Sequence, residues 1–202
     1  MKYVSYKSLK IHIWLILCTI STVFSQTSLV FEDIDGIVCI EAEHYKSADG
    51  SFVLGKDIED RKGFSGDNWV YGDDQPSNIY FDFKINVSGR YFLFSRTYST
   101  GHGDNGFMVY IDGKKNKGDK MYLAKSKRWD WENHIQGDGP VPSWELDTGM
   151  HELKYAMRDN FHRVDKIVLL NEAMFVIPTH ETDGKFLRPK WDFDDLGPDE
   201  TI

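Results

Sequence analysis

The chain has little cysteine, a deficit of basic charge and no long amphipathic helix pattern, and each shortage removes a class of explanation. Only Cys18 and Cys39 occur in 202 residues. The first 25 residues read as an export signal, with Lys2, Lys7 and Lys10, an apolar stretch from Ile11 to Phe24, and small Ser25 before Gln26. That stretch is short for a membrane span. Lipidation at Cys18 is disfavoured, because Leu17 stands where a small residue is expected. Removal of residues 1–25 leaves Cys39 alone, so no intrachain disulfide holds the mature fold. Cys39 reads as a small packing residue. The same removal leaves 21 basic against 32 acidic residues, a net of −11. Such a chain is a poor partner for nucleic acid or anionic membrane surfaces, and no membrane insertion is expected once the signal is gone. The expected location is secreted, periplasmic or extracellular.

What is present is period-two alternation. In NIYFDFKINV, Ile79, Phe81, Phe83, Ile85 and Val87 fall on one face. Tyr80, Asp82, Lys84 and Asn86 fall on the other, the pattern of a half-buried strand. Ser88-Gly89 turns the chain into RYFLFSRTY, and GFMVYIDG points Phe107, Val109 and Ile111 inward before a hairpin-like Asp112-Gly113. HELKYAMRD alternates Leu153, Tyr155 and Met157, and RVDKIVLLN forms the last strand. Many short strands with turns between them predict an all-β sandwich or barrel over residues 30–177. Residues 178–202 hold three prolines, an acidic excess and an aromatic island at Lys190-Trp191-Asp192-Phe193, the composition of a tail or linker.

IVCIEAEHY raises a chemical question. On a strand, Glu41 and Glu43 would share a face about 7 Å apart, with Val38, Ile40 and Ala42 opposite. A metal ion between them, an acid/base pair, or a solvated strand end would each account for two adjacent like charges.

Read together, E-A-E-x-Y (from Glu41), D-N-G-F-M-V-Y-I-D-G (from Asp104), W-D-W (from Trp129), L-D-T-G-M-H-E-L (from Leu146) and R-V-D-K-I-V-L-L (from Arg163) resemble one group. It is the β-sandwich carbohydrate-binding modules of families 6 and 35, carried by polysaccharide-degrading enzymes. The resemblance spans Ile34 to Asn171. It implies a jelly-roll, galactose-binding-like sandwich of two antiparallel sheets, a structural calcium near the first strand, and a glycan site in the loops at one end. It also implies Glu41 and Glu43 as calcium ligands, with carbonyls of Lys62–Gly66 and with Asn171, where the family often has Asp. Calcium is a hard cation that takes six to eight oxygens.

Glycosidase carboxylates would accept the same spacing. However, jelly-roll glycosidases with acids on one strand resemble E-x-D-x-x-E, and Lys46 stands three residues after Glu43. Candidate sugar contacts are His102, Asp104 and Asn105 in GHGDNGFMVY, where the alternative is a turn whose Asp and Asn bond their own backbone. His102 has no His or Cys partner at metal spacing. Trp129 and Trp131 in KRWDWENH read as a stacking platform or as core, and Trp69 as a loop-edge candidate; Trp144 reads as core. Arg158 and Asn160 in RDNFHRVD bracket the last hairpin, and Arg grips carboxylate or sulfate bidentately. Asp165 reads as structural. KKNKGDKMYLAKSKR, Lys114 to Arg128, gathers seven bases and one acid in an acidic chain, which suits an anionic glycan or a solvated loop.

The expected function is a secreted, non-catalytic module that holds a polysaccharide or oligosaccharide, uronic or sulfated if the basic run borders the site, beside a partner enzyme. A small polysaccharide lyase or glycoside hydrolase recruiting His162, Arg158 and Tyr98 is the alternative. A protein-docking module acting through the Trp191 tail is the third.

Overall fold

A computed structural model describes residues 29–57, 62–74, 76–101, 103, 106–116, 120–122, 127–133, 135 and 141–174. The expected signal (1–25), the 178–202 tail, and His102, Asp104 and Asn105 lie outside them. In chain order the strands are β1 (Val30–Glu32), β2 (Ile37–Glu41), β3 (Ser47–Asp49), β4 (Phe52–Leu54), β5 (Val70–Gly72), β6 (Asn78–Ile85) and β7 (Gly89–Tyr98). They continue with β8 (Gly106–Ile111), β9 (Lys114–Lys115), β10 (Met121–Tyr122), β11 (Trp129–Glu132), β12 (Ser143–Leu146), β13 (Gly149–Met157) and β14 (His162–Asn171).

Two sheets result. Sheet A runs β1-β6-β13-β8-β10, with β3 also on β6 and β9 on β8. Sheet B runs β11-β7-β14-β5-β4, with β12 also on β7 and β2 on β14. Every pairing is antiparallel except β1 on β6, which is parallel. The β-sandwich expectation is therefore met.

Alternation builds the core. Phe81, Phe83, Phe107, Val109, Leu153 and Tyr155 of sheet A meet Val38, Ile40, Tyr91, Leu93, Ile167 and Leu169 of sheet B, all fully buried. Each such side chain contributes roughly 1.5–3 kcal/mol on burial. Trp144 joins this core as expected. Val87 does not: β6 ends at Ile85, and Val87 is 51% exposed in the turn that follows.

The last strand departs from strict alternation. Its pairing with β7 shifts between Val164 and Lys166, which marks Asp165 as a β-bulge. The extra residue keeps Val164, Ile167 and Leu169 inside while turning Arg163 and Lys166 outward. Without it, RVDKIVLL would put a charge on both faces of β14.

The outer side of sheet B thereby acquires ordered rows. Leu170 aligns with Ile37 and Phe92, and Val168 with Cys39 and Phe94. Lys166 then aligns with Glu41 and Arg96, and Arg96 with Trp131. Last, Tyr71, Arg163, Tyr98 and Trp129 form a row across β5, β14, β7 and β11.

Candidate functional site

The carboxylates come first. The strand containing Glu41 stops there, and Ala42–His44 form a single 3-10 turn. Glu43 thus leaves the strand, so the two glutamates do not stand side by side on one strand face as the spacing predicts. They converge instead on the loop at 62–68. Ser65 Oγ donates to Glu41 Oε2 at 2.8 Å. The backbone N–H groups of Asp67 and Asn68 donate to Glu43 Oε1 at 3.0 and 3.1 Å. Gly66, at φ +60°, makes this approach possible: a Cβ there would lie 2.5 Å from Glu43 Oε1 and 3.4 Å from the Glu41 carboxyl.

Two cations share the neighbourhood. Lys166 Nζ lies 2.6 Å from Glu41 Oε1, with side chains only 3% and 1% exposed. Burial works against the Lys166 charge, yet neighbours including Glu41 and Asp165 outweigh it and raise its pKa. The Arg96 guanidinium pairs with Asp165 and donates to the Gly63 carbonyl at 2.9 Å. Asp165 also accepts from the Ser65 N–H at 3.0 Å. Its pKa is raised to about 6, because burial outweighs the attraction of Arg96. Burial also raises Glu43, and the charge of Glu41 adds to it against the backbone N–H donors.

The donor set suits a hard cation in part. Glu43 Oε2 and Glu41 Oε1 are buried and accept no hydrogen bond, although Lys166 is an ionic partner of the latter. Ser65 Oγ and loop carbonyls are the neighbouring oxygens, with the Gly63 carbonyl already bonded to Arg96. Among the described residues no three His, Cys, Asp or Glu side chains are gathered for a metal. Asn171 is elsewhere: it aligns with Tyr91, five positions beyond Lys166 and roughly 16 Å along the strand. There its Oδ1 accepts from the Ala173 N–H at 3.0 Å. Asp165 is the acid that the last strand supplies to this corner, and the broken alternation of RVDKIV was its signal.

The aromatic expectations change. Trp69 is fully buried, with its ring against Gly55, where a Cβ would meet it at 2.1 Å. Trp129 is 9% exposed and packs edge-on to Trp69 at 5.5 Å. Trp131, half-buried, lies on the Phe94–Val168–Leu170 patch. Neither Trp69 nor Trp131 is an open platform, since the wide outer face of sheet B needs large rings to cover it. The exposed ring is one the sequence reading passed over. Phe161 is 48% exposed, holds φ +60°, and lies 6.5 Å from Tyr71. A bulky side chain in the left-handed region is rare. Arg163 lies 5.2 Å from the Tyr71 ring centre and 5.8 Å from that of Tyr98. Phe161, Tyr71, Arg163, Tyr98 and Trp129 thus form a continuous aromatic and cationic strip.

Beside it opens a cavity of about 410 Å³, lined by Lys62, Gly63, Arg96, Tyr98, Lys127, Arg128 and Trp129. The basic run is divided by the fold. Lys114 and Lys115 sit in sheet A, and Lys120 pairs with Asp159 at 2.9 Å, while among the described residues of the run Lys127 and Arg128 reach the cavity. Arg158 and Asn160 lie in the turn before Phe161, bonded to Asp159 and Asp74. His162 is sealed inside the sandwich, 2.6 Å from the Tyr155 hydroxyl, stacked on the Tyr155 ring and tilted against Phe107. It has no access to a substrate.

No family model matches the chain. An uncharacterised protein, P23, of Formosa agariphila is 25% identical over 194 residues, covering 74% of this chain and 47% of its own length. The chain therefore spans about half of that curated relative. Two solved structures share the fold. The Podospora anserina β-(1,4)-mannanase with a family 35 module matches at TM-score 0.55 and 18% identity, over 73% of this chain and 30% of that one. The native family 35 carbohydrate-binding module of Clostridium thermocellum matches at TM-score 0.51 and 15% identity, over 67% and 98%. The chain has the β-sandwich fold of the family 35 carbohydrate-binding modules.

Proposed function

We propose that this protein is a non-catalytic carbohydrate-binding module, exported by its first 25 residues, that holds a polysaccharide against the outer face of sheet B for a partner enzyme. The observation that carries the proposal is the strip from Phe161 to Trp129. Aromatic rings there flank Arg163, the arrangement that stacks on the C–H faces of sugars and hydrogen-bonds their hydroxyls. A glycan carrying negative charge suits it best, because cations line the adjoining cavity.

Calcium belongs to the same proposal, as a structural ion held by Glu41, Glu43, Ser65 Oγ and loop carbonyls. Bound there, it would neutralise the carboxylates and tie the 62–68 loop to the end of β2. Glu43 Oε2, buried without a hydrogen-bond partner, and Glu41 Oε1, met only by Lys166, support it. Lys166 already compensates one charge, so the ion's contribution is modest. The lyase or hydrolase reading loses its base, since His162 is buried against Tyr155.

One experiment tests these points together. The protein is presented with neutral, uronic and sulfated polysaccharides, with calcium and then with chelator, and both retention and new chain ends are measured. Retention without new ends supports a binding module, and depolymerisation refutes it. A melting temperature that chelation leaves unchanged refutes the calcium site.

A further inference from the structure

The cavity beside the aromatic strip has the wrong sign for this chain. Acids outnumber bases by 32 to 24 in the sequence, yet among the described residues four cations and no acid line the cavity. Two of the four are matched: Arg96 pairs with Asp165, and Arg128 lies 3.0 Å from Asp130. Lys62 and Lys127 have no carboxylate partner among the described residues, so they set its net charge.

The backbone presents these lysines deliberately. Lys127 holds φ +52°, a conformation that side chains other than glycine, Asn and Asp seldom adopt, and Gly63 next to Lys62 holds φ +83°. A strained residue such as Lys127 persists where the surroundings over-determine it, commonly at ligand clamps. The walls are chemically specific too. Tyr98 and Trp129 meet at 5.6 Å and 69°, forming an aromatic corner. Trp129 Nε1 is buried without an acceptor, a donor left over by the protein itself. A cavity of about 410 Å³ falls in the range of small-ligand sites.

We infer that this cavity seats one anionic sugar residue of the bound glycan, with Lys62, Lys127 and Arg128 holding its sulfate or carboxylate and the Tyr98–Trp129 corner taking its ring. This rests on the glycan-binding reading above and assigns its charge selectivity to particular side chains. Sulfate ester and uronate share the recognising chemistry, which is a compact oxyanion against fixed cations. The glycan's charge is read on the sheet B side of the basic run alone, so Lys114 and Lys115 have no part in it.

The test is affinity measurement on carrageenan, polygalacturonate and uncharged agarose. The unaltered protein is compared with the Lys62→Ala/Lys127→Ala double variant and, as a charge control, Lys115→Ala. The double variant is expected to lose about tenfold or more in affinity for the charged glycan that the protein retains. Lys115→Ala and the charge-preserving Lys127→Arg keep it, and added salt weakens it. Preference for carrageenan assigns sulfate, and preference for polygalacturonate assigns uronate. Equal retention of agarose, or a folded double variant with unchanged affinity, overturns the cavity's role and leaves glycan binding intact. Failure to retain any of the three overturns the glycan reading as well.

Discussion

The outer faces of the two sheets use charge in opposite ways. On sheet A, Lys46 pairs with Asp82 at 2.8 Å, Lys84 with Glu32 at 2.6 Å, and Lys154 covers the Tyr110 ring at 3.8 Å. These groups are largely solvated and mutually satisfied, and such pairs contribute about 0–1 kcal/mol each. On sheet B the Glu41–Lys166 and Arg96–Asp165 pairs are withdrawn from water, and at the cavity Lys62 and Lys127 lack a carboxylate partner among the described residues. A face that only needs solubility closes its own ion pairs. The face proposed to bind a glycan leaves Lys62 and Lys127 open among the described residues, next to rings that a sugar could cover.

The largest contrast should come from breaking one ion pair on each face. Glu41→Ala strands Lys166 in the interior and is expected to lower stability by about 3–5 kcal/mol. Glu32→Ala on sheet A should cost under about 1 kcal/mol. Urea denaturation of both variants checks this, and equal losses would erase the distinction between the faces.

A second contrast lies in pH. Asp165 has a folded pKa of about 6 against an ordinary 3.8, so the folded state favours its proton. In chelator, its share of stability is full below about pH 4 and is lost as pH rises through 6, at most about 3 kcal/mol. Asp112 on sheet A has the opposite sign. Burial pushes it up, but the His151 hydrogen bond and other partners win and lower it. Its contribution is present above pH 4 and lost on acidification. Denaturation midpoints between pH 3 and 7 should therefore lose their decline from pH 4 to 6 in Asp165→Asn and keep it in Asp112→Asn.

Phe161 sharpens the contrast at smaller scale. Phe161→Gly removes the left-handed strain and should raise stability by up to about 1 kcal/mol while weakening glycan retention several-fold. A gain in both would show that the ring takes no part in binding. The smallest effect expected is for Lys154→Ala, within about 0.5 kcal/mol and with retention unchanged. Thermal melts and affinity gels of the two variants decide both.

Much of the fold was legible because alternation is a local property. Ile79 to Ile85, Phe107 to Ile111 and Leu153 to Met157 each announce one buried face, and each forms a strand in the structure. The site was less legible because it depends on registers between distant strands. Glu41 and Glu43 do approach a common loop, but through a 3-10 turn and Gly66, which two-residue spacing does not reveal. Asn171 stood at the right place in a motif and at the wrong end of a strand. Trp69 carries loop-like neighbours in sequence, yet Gly55, a residue 14 positions away, makes the space that buries it. Phe161 gave no sequence signal, since only the backbone shows its positive φ.

The sequence by itself determined the all-β class and the identity of most core side chains. Those follow from which residue types avoid water and how a strand alternates them. Tertiary structure alone decided which charges meet. Whether a lysine is paired, as Lys166 is, or left open among the described residues, as Lys62 and Lys127 are, depends on which carboxylates the fold brings within a few ångströms, because attraction between charges fades over that distance in water.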